Sequence, residues 1–78
     1  MYQVIIYSTL RNFPASLASR YGFSLKPFLD TNKASRYFDD LEDAQLFAYH
    51  LIGRIKRDFR IILTSDDFRS YAIYQEGF

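Results

Sequence analysis

The segment RYFDDLEDAQLFAYHLIGRIKRDF, residues 36–59, decides the fold of this chain because it places acidic, apolar and basic residues in a fixed order. Asp39 or Asp40 can cap a helix, and Glu42 stands three residues after Asp39, which is the spacing of a capping box. Acidic residues in a first turn and basic residues in a last turn both interact favourably with the helix dipole. We therefore predict one long helix of about 17 residues in this segment.

The apolar residues of this predicted helix recur at the helical period and form one face for the core. They are Leu41, Ala44, Ala48, Leu51, Ile52 and Ile55. Leu46 and Phe47 fall outside this face, and His50 lies opposite to it among charged residues. The basic residues of the last predicted turns are Arg54, Lys56 and Arg57. The helix therefore has two large apolar side chains that its own core face does not require.

Apolar runs bounded by turn residues predict strands on both sides of the long helix. The predicted strands are residues 2–9, 23–28, 34–38, 59–65 and 68–75. Residues 12–21 are predicted as a short helix with Asn12 as N-cap, Pro14 in the first turn and Gly22 at the end, and an extended loop explains them almost as well. Pro27 lacks a backbone N–H, so we expect its strand at a sheet edge or with a bulge.

The order of these elements is β-α-β-β-α-β followed by one more strand, which matches the ferredoxin-like arrangement. We expect a single α+β domain over residues 1–78, with a mainly antiparallel sheet of four or five strands and both helices on one face. If residues 12–21 are not helical, the alternative is one helix across a five-stranded sheet.

The composition narrows the class of protein. Hydrophobic residues make up 49% of the chain and aromatic residues 19%, which is typical of a globular domain. The chain has no cysteine, and residues 1–12 lack the basic start of a signal peptide, so we expect a cytoplasmic protein. No apolar stretch approaches the ~20 residues that span a membrane. The net charge of +1 is small for a dedicated nucleic-acid binder.

Candidate catalytic and metal-binding residues are few. His50 is the sole histidine, and glycines at 22, 53 and 77 are too scattered for a phosphate loop. The carboxylates of the acidic cluster could contact a divalent cation but lack the spacing of a calcium loop. This cluster is Asp39, Asp40, Glu42 and Asp43, and helix capping explains it. We expect no enzyme, no cofactor and no metal; a metal-binding or hydrolytic role for His50 with this cluster is the weakest alternative.

Residues 34–53, which include RYFDDLEDAQLFAYHL, are similar to the third strand and second helix of the RNA-recognition motif. The resemblance implies the β-α-β-β-α-β topology and binding of RNA by aromatic residues on two central strands. The stacking positions of that family fall here on Ser35 and Lys33, and Tyr7 stands one place from the usual aromatic position. The resemblance therefore bears on topology more than on function.

The chain has more apolar surface than one small core requires, since several predicted strands are apolar on both faces. We predict contacts with another protein or with a second copy, as in a stand-alone inhibitor or adaptor of the kind that phages and mobile elements encode. Alternatively, the last strand or residues 10–22 cover the far face of the sheet, and this arrangement explains the pattern equally well. The expected contact residues are Leu46, Phe47, His50 and Arg54 on the helix and Tyr7, Tyr71 and Ile73 on the sheet.

Binding of single-stranded nucleic acid is the alternative function. Basic residues can follow phosphates while aromatic rings stack on bases. The basic residues for this role are Arg54, Lys56, Arg57 and Arg60. Tyr49 and Phe59 lie close to them in sequence.

Overall fold

The computed structural model describes residues 1–25, 32–65 and 70–77, with residue 70 described by its backbone alone. In chain order the elements are β1 (Tyr2–Tyr7), α1 (Ala15–Tyr21), β2 (Lys33–Phe38), α2 (Leu41–Leu51), β3 (Arg60–Ser65) and β4 (Ser70–Gln75). The predicted α+β class is confirmed. Neither described helix is long and apolar enough to cross a membrane.

The four strands form one antiparallel sheet in the order β2-β1-β3-β4. Val4 of β1 lies across from Arg36 of β2 and Leu63 of β3, so β1 is a central strand with two partners. Because β2 and β3 both run antiparallel to β1, they are parallel to each other. Helix α2 therefore connects two parallel strands that are separated by β1.

The ferredoxin-like order and the fifth strand are not confirmed. In the described part of the predicted strand 23–28, Ser24 makes an isolated antiparallel bridge to Ser35, and Phe23 packs into the core. Residues 26–28 lie outside the described residues, as do 66–69, where the predicted strand 68–75 began. The described sheet thus has four strands, and every neighbouring pair is antiparallel.

The short helix predicted in residues 12–21 is present as α1, and residues 9–14 before it form no helix. Its N-cap is Pro14 rather than Asn12, with an extended backbone at ψ 132°. Gly22 ends the helix in the left-handed conformation, as predicted. Ala18 is buried, while Leu17 and Tyr21 pack at the margin of the core.

Helix α2 is shorter than the prediction of about 17 residues, because it has 11 and ends at Leu51. Ile52 leaves the helix with an extended ψ of 127°, and Gly53 follows with a φ of 80°. Asp40 is the N-cap, but its side chain makes no capping hydrogen bond, so the predicted capping box is not formed. The basic residues expected in the last turns lie in the connection to β3, and Ile52 is exposed rather than on the apolar face.

The core lies between α2 and the inner strands. Val4, Ile6, Ile61 and Leu63 are fully buried on one sheet face, and small side chains let α2 approach them. These small residues are Ala34, Ala44 and Ala48. An aromatic group closes one end, where Phe13 meets Phe23 and Phe59 edge-on with ring centroids 5.5 Å apart in both cases. Each fully buried branched or aromatic side chain contributes about 1.5–3 kcal/mol.

Candidate functional site

The outer side of α2 carries two large exposed apolar residues. Leu46 is 63% exposed and Tyr49 is 71% exposed, and residues three apart on a helix are neighbours on its surface. The ring of Tyr49 meets the ring of Tyr74 on β4 edge-on, with centroids 6.3 Å apart. The outward position predicted for Leu46 is confirmed. Tyr49 is not among the predicted partner-binding residues. Its spacing of three from Leu46 nevertheless places both side chains on one apolar ridge of the helix surface.

Two apolar residues of β4 are also exposed. Tyr71 is 52% exposed and Ile73 is 45% exposed. Ile73 lies across from Ile62, on the sheet face that α2 does not cover, and Tyr71 lies at an irregularity in the β3–β4 register. The Tyr71 ring meets Tyr2 edge-on at 5.5 Å. We call Leu46, Tyr49 and Tyr71 the α2–β4 surface, because the Tyr49–Tyr74 contact joins its two elements and Tyr71 meets Tyr2, which packs against the core. Ile73 lies on the opposite face of the sheet and does not belong to this surface.

Phe47 does not belong to this surface. Its ring lies 5.1 Å from that of Phe38 and 5.5 Å from that of Phe23, and the Arg36 guanidinium stacks on it. The prediction that Phe47 falls outside the apolar face of the helix is therefore wrong. The reason is that Phe23 and Phe38 extend the core toward β2 and so widen the face that α2 buries.

His50 and Arg54 lie at the end of α2 and are exposed. Arg54 Nη1 donates a hydrogen bond of 2.7 Å to the carbonyl oxygen of His50. Carbonyl groups of a last helical turn have no partner in the helix, and a cationic side chain is a common donor to them. Arg54 thus has a structural task at the helix end, and the structure brings it together with His50 as expected.

The four basic residues of the alternative site separate into two groups. Arg54, Lys56 and Arg57 are exposed in or near the connection after α2, whereas Arg60 is partly buried. Arg60 Nη1 donates to the hydroxyl oxygen of Tyr7 at 3.0 Å. Two residues predicted for different surfaces therefore contact each other. Phe59 is fully buried, so its ring is not accessible to a base.

A surface pocket of about 270 Å³ lies beside the Tyr7–Arg60 contact. It is lined by Tyr7, Ser8, Thr9, Asp58, Arg60, Glu76 and Gly77. Asp58 is buried and forms an ion pair with Arg11, which is 47 residues away in sequence and was not anticipated. Arg60 Nε is buried without a hydrogen-bond partner in the described part of the chain. The lining combines two carboxylates with one guanidinium, a mixture that favours no single class of ligand.

The acidic cluster at the start of α2 is exposed to solvent. Among residues 1–25, 32–65 and 70–77, no group of three or more His, Cys, Asp or Glu side chains is placed to hold a metal ion. Asp66 and Asp67, the second acidic pair, lie outside the described residues.

Comparisons with protein-family models, curated proteins and solved structures found no match to this chain. The resemblance of residues 34–53 to the RNA-recognition motif thus has no support from a family match. The positions where that family carries stacking aromatics are also unsuitable here, because Ser35 is fully buried and Lys33 is partly buried.

Proposed function

We propose that this chain is a small non-enzymatic binding protein that acts through protein–protein contacts at the α2–β4 surface. One observation carries the proposal: three large apolar side chains on two adjoining elements, Leu46, Tyr49 and Tyr71, are 52–71% exposed. Exposed apolar patches on small proteins commonly mark interaction sites. Tyrosine, which supplies two of the three residues, is also enriched among the residues that dominate binding energy.

The α2 part of this surface is held rigidly. Ala44, Ala48 and Leu51 are fully buried on the inner side of the helix, so the ridge formed by Leu46 and Tyr49 is fixed relative to the sheet. A preorganised surface loses little conformational entropy on binding. An apolar ridge on a helix suits a groove on a partner, which is how a chain of this size would work as an inhibitor or adaptor.

The proposal is tested by capture on the immobilised chain from an extract of the native host, with an untagged copy of the chain added. Leu46→Lys should abolish enrichment of the bound protein, because it places a charge in the apolar ridge. A lysine there stands four residues after Glu42, an arrangement that supports the helix. Ser19→Lys is the matched control, since Ser19 is exposed on α1 and the charge change is identical.

Wild type and the Ser19→Lys control should enrich the same host proteins, and Leu46→Lys should lose them. The proposal fails if wild type enriches neither a host protein nor the untagged copy. It also fails if Leu46→Lys retains every host protein that wild type captures, because the contact with host proteins would then lie elsewhere.

A second candidate function is favoured by the three exposed cations Arg54, Lys56 and Arg57. Cations grouped in one connection can follow the phosphates of a single strand. This function predicts that the chain binds oligonucleotides. The logarithm of the binding constant should fall linearly with the logarithm of the salt concentration. Lys56→Ala with Arg57→Ala should weaken binding and reduce that slope. A chain that does not bind single-stranded DNA or RNA at low salt lacks this function.

A further inference from the structure

Strand β4 forms one edge of the sheet. In the order β2-β1-β3-β4 it pairs with β3 on one side, and no described strand pairs with it on the other. The backbone N–H and C=O groups along an unpaired edge are a template for another strand. An extended segment is therefore the occupant that this edge fits, because only a backbone ladder satisfies those groups.

The two edges of the sheet differ in protection. Natural edge strands carry charges, are covered by neighbouring chain or contain bulges, and each of these devices hinders pairing with other molecules. Strand β2 has charges and cover, since it contains Lys33 and Arg36, and Ser24 exchanges two backbone hydrogen bonds of 2.7 and 3.0 Å with Ser35. Strand β4, with the sequence SYAIYQ, contains no charged residue and no proline. Its protection is limited to register irregularities on either side of Ala72 and Ile73, so the contrast marks this part of β4 as an edge that accepts a partner strand.

The chemistry of β4 suits a second copy of the same strand. In a two-fold symmetric antiparallel pair, residues near the axis face residues of the same type, so a charge there would meet a like charge. Because β4 is uncharged, this repulsion is absent. Tyr71 and Ile73 would instead contact the same apolar side chains of the partner, and such cross-strand pairs stabilise a sheet.

The register irregularities of β3 and β4 fix the place of the axis. They lie between Ile61 and Ile62 and between Leu63 and Thr64, so Ala72 and Ile73 form the regularly paired part of β4. A straight part of the strand is what a partner strand can follow, since bulges bend and twist the edge.

We propose that two copies of this chain associate through their β4 strands, pairing antiparallel about an axis near Ala72 and Ile73, to form one continuous sheet of eight strands. The inference rests on the proposed function and makes the partner a second copy. On the helix side, Tyr49 beside Tyr74 would flank the new pairing and add to the apolar contact.

The test is the mass of the full chain by sedimentation, measured from low micromolar concentration to about 100 µM, a range that includes weak contacts. Wild type should rise from 9.3 kDa to twice that value. Ile73→Lys should remain at 9.3 kDa up to a protein concentration at least ten times higher than that at which wild type begins to associate, because two lysines would face each other. Tyr37→Lys is the matched control on β2 and should not change the association, since Tyr37 is similarly exposed.

A charge-reversal pair separates loss of association from loss of folding. Ile73→Lys and Ile73→Glu should each remain monomeric and should form a mixed dimer when combined, which an unfolded chain cannot do. Failure of wild type to exceed 9.3 kDa, or an equal dimer in Ile73→Lys, overturns the inference. Host proteins captured in a Leu46-dependent manner by a chain that stays monomeric would refute the dimer and leave the proposed function intact.

Discussion

The guanidinium carbon of Arg36 lies 4.7 Å from the centroid of the Phe47 ring, so a cation of β2 stacks on an aromatic side chain of α2. The same carbon is 5.0 Å from the centroid of Phe38. Arg36 Nη1 also donates a hydrogen bond of 3.0 Å to the carbonyl oxygen of Tyr21, at the end of α1. One side chain thus links both helices to the sheet and fixes Phe47 in the core.

Arg36→Ala should lower the free energy of unfolding by about 2–3 kcal/mol, because it removes two cation–π contacts and a hydrogen bond from a charged donor. Arg36→Lys should lower it by about 1–2 kcal/mol, since lysine keeps the charge but not the planar group that stacks. Urea unfolding measures both values. Arg20→Ala, on the exposed last turn of α1, should remain within about 0.5 kcal/mol of wild type. Equal effects at Arg36 and Arg20 would contradict this account.

Arg11→Ala should destabilise the protein because Asp58 would remain buried without its ion-pair partner. Arg11 is 45% exposed, so solvent screens the pair and the cost is about 1–2 kcal/mol rather than that of a fully buried pair. Asp58→Asn in the Arg11→Ala background should recover part of the loss, because it removes the unpaired charge. A double-mutant cycle by urea unfolding measures the coupling. Additive effects of the two substitutions would show that the ion pair contributes nothing.

The types of the secondary-structure elements were predictable from the sequence. Hydrophobic periodicity and the residues that end a helix depend only on neighbouring positions in the chain. The apolar run of residues 59–65 correctly predicted the strand β3, and Gly22 correctly predicted the end of α1. The predicted length of α2 is too long. Basic residues are favourable at the C-terminal end of a helix dipole, and the prediction therefore included Arg54, Lys56 and Arg57 in the helix. Gly53 in the left-handed conformation ends the helix earlier, and a local charge pattern does not report this.

Sheet order and the candidate site were harder to predict, because both depend on contacts between distant residues. The pairing of β1 with β2 and β3 at once is not encoded in any short segment. The assignment of Phe47 to the surface failed for the same reason, since Phe23 and Phe38 cover it only in the folded chain. Leu46 was placed correctly because its position on one helix was sufficient.

Gly77→Ala should destabilise the protein more than Gly53→Ala. Both glycines have a left-handed backbone, with φ of 76° and 80°, and a side chain costs roughly 1–2 kcal/mol in that conformation. A Cβ at Gly77 would also lie 3.2 Å from the carbonyl oxygen of Asp58 and 3.3 Å from the backbone nitrogen of Arg60, whereas a Cβ at Gly53 would meet nothing within 4 Å. Thermal unfolding should therefore show the lower midpoint for Gly77→Ala. Equal midpoints would mean that the backbone at Gly77 shifts away from Asp58 and Arg60 without loss of stability.

Ile61→Val and Ile73→Val apply the same chemical change to the inner and outer strands of the β3–β4 pair. Ile61 is fully buried, so loss of one methylene should lower the free energy of unfolding by about 0.5–1.5 kcal/mol. Ile73 is 45% exposed, and its substitution should change the unfolding free energy of the monomer by less than about 0.5 kcal/mol. The proposed association at β4 would stabilise the folded chain by mass action, so the cost at Ile73 should grow with protein concentration while that at Ile61 stays constant. Urea unfolding at 2 µM and at about 100 µM measures this difference, and a cost at Ile73 that is the same at both concentrations would show that this side chain takes no part in self-association.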